Sequence, residues 1–356
     1  MTRLTTREPS RHPTPTARAL ALSHLVFERP DLELAQGFLS DFGLRVVERT
    51  DDALFLRAAD AAPFCYVVRR GERARFLGLG LRVAGRGDLE LLQAALPGPA
   101  IEPFRAPGGG LCLELRDPSG FLVQVVSAQG TSERIAVRGP LPCNTGASTP
   151  RVNATQRPPA EAPILKLGHV VIEAASFQDT CGWYTRHFGF IPSDVQVLPD
   201  GSPAVVFLRL DRGSEPTDHH TLAIAQGVGA AYGHAAFEVV DLDAIAVGQR
   251  LLRERGFRHA WGIGRHILGS QIFDYWSDPF GDKHEHYTDG DVFTADVPMG
   301  VHPVSREAMA QWGPPMPRSF TAPRLSAQLV MNVAHHLRET PDLDLKKLVT
   351  LKKIFG

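Results

Sequence analysis

The chain has 356 residues, 43% of them apolar and 22% charged, with a formal net charge of −1. That length exceeds what one hydrophobic core usually serves and suits two domains of ordinary globular composition. The near-neutral charge removes the electrostatic case for nucleic acid or an anionic membrane surface as a partner, and no run of 18 apolar residues is present to span a bilayer.

In chain order, residues 1–16 are basic and rich in Ser, Thr and Pro, which predicts a flexible tail. "SHLVFERPDLELAQGFLSDFGL" (23–44) then reads as a strand, a polar break and an amphipathic helix. "LGLGLRVAGRGDLELLQAAL" (77–96) repeats strand and helix, with Asp88 expected at the N-cap. "CLELRDPSGFLVQVVS" (112–127) is a hairpin around Asp-Pro-x-Gly. Residues 128–163 are rich in Pro, Ser, Thr and Asn without periodicity and read as a linker. The same plan then returns in "GHVVIEAASFQDTCGWYTRHFGF" (168–190), in "YGHAAFEVVDLDAIAVGQRLL" (232–252) with Asp241 as N-cap, and in "FDYWSDPFGDKHEHYT" (273–288). The chain is therefore expected to be α+β, with two duplicated domains, 17–127 and 164–303, each of two modules in which a strand and helix precede further strands. The repeat is too long for a solenoid unit. Residues 304–356 form a helical extension. Leu325, Leu329, Val333 and Leu337 recur every four residues, giving a helix that docks on the body or on a partner subunit and hints at a homo-oligomer. The closing "LDLKKLVTLKKIFG" reads as a packing helix rather than a membrane contact, and His335-His336 as part of a helix face rather than a second metal site.

The last hairpin can be read residue by residue. In Asp278-Pro279-Phe280-Gly281, Pro suits the second turn position and Gly the left-handed one. A three-residue loop then pairs 278 with 282, and pairing outward sets Tyr275 opposite Glu285. His284 and His286 point to the other face, and the remaining polar residues of 278–291 are expected to meet water.

Histidine is unevenly spread: twelve of fourteen lie from position 164 onward. His169, His234 and Glu285 each sit on a separate strand at equivalent ends of the repeated modules. Two imidazoles and one carboxylate on rigid strands make a facial triad, a set that leaves coordination positions open and suits Fe2+, with Mn2+ compatible. The first half lacks such a set. His24 aligns with His169, but Gly78 aligns with His234 and Gln124 with Glu285. That half reads as a degenerate copy without metal, with Glu114 rather than Tyr opposite Gln124.

The order His169, His234, Glu285 together with "GRHILGSQIFDYWSDPFGDKHEHY" (264–287) resembles the type I extradiol ring-cleaving dioxygenases of the vicinal oxygen chelate superfamily, such as 2,3-dihydroxybiphenyl and catechol 2,3-dioxygenases. The resemblance implies two βαβββ modules per domain and a half-open barrel of strands around a metal in the second. It also implies an enzyme that cleaves catecholic rings with O2. The four cysteines, Cys65, Cys112, Cys143 and Cys181, show no CxxC spacing, so a reducing, cytoplasmic setting is expected. "DHHTLAIA" (218–225) is similar to the family's segment whose second histidine is the acid–base catalyst, which carries onto His220. His266 and Tyr275 match its second-sphere histidine and active-site tyrosine. Strand alternation would place His220 on the face of Leu222 and Ile224, with His219 turned away. The His220–His234 spacing is one residue short of the biphenyl-type pattern, which leaves His219 as the alternative by count. Two other readings stand beside this one. A glyoxalase-type isomerase or lyase would use four protein ligands. A non-catalytic small-molecule binding protein of the same fold would lack the triad.

Overall fold

A computed structural model describes residues 9–156, 161–321 and 327–355. Leu325 and parts of the expected tail (1–8) and linker (157–160) therefore lie outside the described residues. Four βαβββ modules follow one another. The first runs from strand Ala21–Arg29 through helix Leu32–Asp41 to strands Arg45–Arg49, Ala53–Arg57 and Tyr66–Arg70. The second has strand Arg75–Arg82, helix Arg86–Ala95 and strands Glu102–Pro103, Leu111–Arg116 and Leu122–Ser127. Together they make one eight-stranded mixed sheet. In the third, strand Lys166–Ala174 and helix Phe177–Phe188 precede strands Ile191–Val197, Pro203–Arg209 and Leu222–Gln226. The fourth has strand Ala231–Glu238, helix Leu242–Glu254 and strands Arg258–Arg265, Ile272–Ser277 and Lys283–Thr288. These form a second sheet, which strand Gly300–Pro303 extends to nine by pairing parallel to Ile191–Val197.

Local chemistry explains the helices. Leu32, Ala35, Phe38 and Leu39 recur at helical spacing and are buried, and the Asp31 carboxylate accepts from Glu33 N and Leu34 N at 2.9 Å. Asp241 caps its helix as expected, accepting from Ala244 N at 2.9 Å. Asp88 does not. It lies one turn inside, behind the N-cap Gly85, and its carboxylate reaches back to Ala84 N. This is the acidic half of a capping box, so the same residue type acts from the third helical position.

The two halves share one apolar core, and each sends its Asp-Pro-x-Gly hairpin into the other. The first hairpin places the buried Asp117 beside Tyr184, whose hydroxyl donates to Oδ2 at 3.0 Å. The second places Asp278 and Asp282 on Arg29, at 3.0 and 2.6 Å, with the Arg29 side chain only 1% exposed. Next to this ion pair, Tyr66 Oη lies 2.9 Å from His284 Nε2, and the Phe42 ring stacks on His286 at 3.9 Å. The expectation that the polar residues of 278–291 mostly meet water is thus corrected. Asp278, His284, His286 and Thr288 are buried, because the outer face of this hairpin is the inner face of the contact between the halves. Residues 9–16 are likewise not a free tail: Arg11 pairs with Asp211 at 2.7 Å and Thr16 N donates to Arg186 O at 2.9 Å.

The extension packs on the second half. Asp342 accepts from Gln178 N at 2.9 Å, the buried Lys347 donates to Gln226 Oε1 at 2.9 Å, and Leu351 and Ile354 meet Leu198, Ala204 and Val304. Among the described residues, no helix is long and apolar enough to cross a membrane.

Removing one partner of a buried ion pair leaves the other charge uncompensated. Arg29→Ala is therefore expected to destabilise the protein by about 3–5 kcal/mol in urea denaturation. His24, in the first half, gives a pH test. Burial pushes its pKa down to about 4, against an ordinary value of 6.5. Between those values the unfolded chain binds a proton that the folded chain does not, so stability falls as pH drops through this window, by about 1.4 kcal/mol per pH unit. His24→Gln should flatten the slope by that amount, read from denaturation curves at pH 7 and pH 5.

Candidate metal centre

The three proposed ligands meet because of sheet register. His169 and Glu285 are both in register with Ala236, from the strands on either side of it, and His234 lies two residues earlier on that middle strand. A period of two puts His234 and Ala236 on one face, and the small Ala236 side chain leaves space between the flanking residues. His169 Nε2 and His234 Nε2 lie 3.4 and 3.2 Å from Glu285 Oε2, and one ligand atom from each of the three residues falls within 4.8 Å of the others. Gly168 is needed next to His169, since a Cβ there would meet the Tyr287 hydroxyl at 2.2 Å.

The donors fit a divalent cation. Glu285 is 0% exposed, and neither of its carboxylate oxygens has a hydrogen-bond partner. Burial works to raise its pKa, but the two imidazoles outweigh it and hold the group below the ordinary carboxylate range. Burial pushes His234 down to about 4, against the pull of Glu285, so at neutral pH its ring offers a lone pair and not a counter-charge. An anionic oxygen and imidazole nitrogens converging on one point are what Fe2+, Mn2+ or Zn2+ binds.

A cavity opens on this group, lined by the two histidines, His220, His266 and Tyr275 and walled by apolar residues such as Phe207 and Leu268. The His220 ring is 4.0 Å from that of His169, and its pKa lies well below the ordinary histidine value, chiefly through burial and then through the neighbouring imidazoles. The alternation argument for His220 is corrected, however. Leu222 and Ile224 face the core, and the strand begins only at Leu222. His220 enters the cavity because residues 219–221 lie outside the regular strand. His219 is buried beside it, outside the cavity lining.

Tyr275 pairs with Glu285 as the turn geometry required, and its hydroxyl lies 2.9 Å from His266 Nε2. His266 Nδ1 donates to Met309 O at 2.7 Å, so in the neutral ring Nε2 accepts and Tyr275 donates. Sequence reasoning missed the contribution of the extension: Ala308 and Met309 wall the cavity, as do Gln196 and Gln271. Their only sequence signal was their proximity to recognised segments, which does not say where a side chain points.

Residues 166–285 match the family model described as the glyoxalase/bleomycin resistance protein/dioxygenase superfamily. The chain is also 30% identical over 306 residues to metapyrocatechase 2 of Cupriavidus necator, covering 84% of this chain and 91% of that protein. The chain belongs to the glyoxalase/bleomycin resistance protein/dioxygenase superfamily. Within this superfamily, its fold is similar to that of the Mn(II)-bound glyoxalase of Novosphingobium aromaticivorans, with a TM-score of 0.74, 22% identity and coverage of 87% and 97% of the two chains. A homoprotocatechuate 2,3-dioxygenase of Brevibacterium fuscum, in complex with 3,4-dihydroxyphenylacetate, gives 0.73, 18%, 88% and 94%. The glyoxalase and the dioxygenase thus match the fold equally well.

If the triad holds an ion, Fe(II) or Mn(II) at a hundredfold excess over its dissociation constant should stabilise the wild-type protein by about 2.7 kcal/mol. Glu285→Gln, of equal size, should show no such shift in thermal melting and should retain almost no metal after gel filtration.

Proposed function

We propose that the protein is an extradiol dioxygenase that cleaves a catecholic ring with O2 at a mononuclear Fe(II) centre held by His169, His234 and Glu285. The observation that carries this reading is the fully buried, hydrogen-bond-free carboxylate of Glu285 between two histidines at the base of a cavity that also holds two further histidines, His220 and His266. The metapyrocatechase homologue favours it over a glyoxalase-type isomerase or lyase. A non-catalytic binding protein would have no use for the triad. Mn(II) suits the same ligands.

When bound, the ion supplies Lewis acidity to a catechol hydroxyl and an electron path between ring and O2. The chain's own residues do the rest. His220, held neutral, accepts the proton of the second hydroxyl and later returns it to the leaving oxygen. Tyr275 turns its one hydroxyl hydrogen from His266 Nε2 to the oxyanion that develops on the ring carbon. Val171, Phe207, Leu268 and Met309 give the ring apolar walls. Among the described residues no lysine or arginine lines the cavity, so the reading extends to a catechol whose substituents carry no charge. The first half is a scaffold without metal, and the extension completes the cavity wall.

The test is anaerobic loading with Fe(II), followed by air and a panel of catechols. A yellow ring-fission product formed with equal oxygen uptake is the expected result, stronger with alkylcatechols than with 3,4-dihydroxyphenylacetate. Product formation without oxygen uptake would favour the isomerase reading. His220→Ala should keep its iron and bind catechol, yet lose about 10²–10⁴ in kcat.

A further inference from the structure

Behind His220 lies a line of polar side chains that the proposed reaction does not use. His220 Nδ1 is 2.9 Å from His219 Nδ1. His219 Nε2 is 2.6 Å from Asp194 Oδ2, and Asp194 Oδ1 is 2.8 Å from Nε2 of His302, which is 41% exposed. His219 is buried, between the rings of Phe207 and Phe293. The arrangement needs special room: a Cβ on Gly300 would meet Asp194 Oδ1 at 2.1 Å and His302 Nε2 at 2.6 Å. Strand Gly300–Pro303 sets Gly300 opposite Asp194 and carries His302 to it. The backbone is pinned as well, since Ser193 Oγ donates to His219 O at 2.6 Å and Arg209 Nη1 donates to Ser193 Oγ at 3.0 Å.

Hydrogen-bond roles follow along the line. A carboxylate only accepts, so His219 Nε2 carries a hydrogen and donates to Asp194. With its ring hydrogen on Nε2, His219 has Nδ1 to accept from His220 Nδ1–H. That leaves the lone pair of His220 on Nε2, the nitrogen free for the cavity. Asp194 stays ionised: burial opposes this, but His219 and His302 hold its pKa below the ordinary carboxylate value.

We propose that Asp194 and His219 are positioning residues that fix the tautomer in which His220 offers Nε2 as a base, and that His219 takes up the proton His220 releases from Nδ1. When Nε2 gains the proton of a substrate hydroxyl, the Nδ1 proton shifts to His219 Nδ1, and the positive charge comes to rest beside the Asp194 carboxylate. The reverse shift restores it when His220 gives its proton back, so no proton is gained or lost over the cycle. His302 orients the second carboxylate oxygen. The inference rests on His220 as acid–base group in the proposed ring cleavage.

The test uses full-length, Fe(II)-loaded protein. His219→Ala should lower kcat by about 10–10²-fold with iron content and KM unchanged, a smaller loss than that expected for removing the acid–base group itself. His219→Asn, whose amide oxygen can accept from His220 Nδ1 but cannot take the proton, should fall between the two. Proton inventories in H2O/D2O mixtures should be curved for wild type, with two protons in flight, and linear for His219→Ala, a difference that a merely structural role would not produce. Asp194→Asn, of unchanged shape, carries the same test should His219→Ala fail to fold. It should lower kcat by a similar factor, because an amide can donate to His219 Nε2 and reverse the tautomers. If either variant stays within twofold of wild type with a curved inventory, the inference is overturned. His220→Ala is measured alongside: if it too retains turnover, the fault lies in the functional reading, and if it alone is inactive, only the role of His219 and Asp194 falls.

Discussion

A carboxylate sealed from water without one hydrogen bond governs this molecule. Burying such a charge unpaired costs several kcal/mol, and proteins usually surround it with donors or an arginine. Around Glu285 the two nearest groups are imidazoles, at 3.2 and 3.4 Å, and burial keeps the His234 ring from charging at neutral pH. A ring nitrogen of each and a carboxylate oxygen of Glu285 turn toward the same point. A divalent cation satisfies all of them at once. The three strands that carry these residues are adjacent, so their relative positions are set by backbone hydrogen bonds rather than by loops, which is the rigidity a metal centre requires.

The first half shows what the same register does without a metal. His24 and Gln124 both align with Gly80, as His169 and Glu285 align with Ala236. There the buried pair is neutral: His24 Nε2 and Gln124 Oε1 lie 2.8 Å apart, and Gln124 Nε2 donates in turn to Glu114 Oε1 at 2.7 Å. The His24 ring fills the room a side chain on Gly80 would need, with its nearest atom 2.2 Å from the Cβ position. With an amide where the second half has a carboxylate, and glycine where it has His234, the equivalent position is ordinary packing. The half is retained for another reason: Arg29, Phe42 and Tyr66 grip the outer face of the hairpin whose inner face carries Glu285.

Local rules made much of this legible in the sequence. The turn Asp278–Gly281, with Gly281 at φ 88°, fixed the pairing of Tyr275 with Glu285, because the loop length determines register. The four modules were visible because the same strand and helix patterns recurred. What could not be read depended on distant chain. His284 and His286 alternate away from the metal face, but nothing local says that the other half covers them. His220 reached the cavity through an irregular segment to which the period of two does not apply. Met309 and His302 arrive from segments with no strong pattern, and each contacts a residue more than 40 positions earlier.

Charge links the cavity to its ligand. Among the described residues that line it there is no lysine, arginine, aspartate or glutamate. With a divalent ion held there, one carboxylate would leave a single positive charge in a poorly solvated space, where electrostatic attraction is strong. A catechol that has lost one proton cancels that charge. A second negative group on the ring would have to be buried against Phe207, Leu268 and Met309 with no cation to meet it, at the desolvation cost that makes an unpaired buried anion so rare. The apolar wall therefore selects against charge, while neutral His220 at the metal's side gives the remaining hydroxyl proton somewhere to go. In the proposed reaction the two preferences suit one ligand, a diol that would enter neutral and lose its first proton only at the base of the cavity.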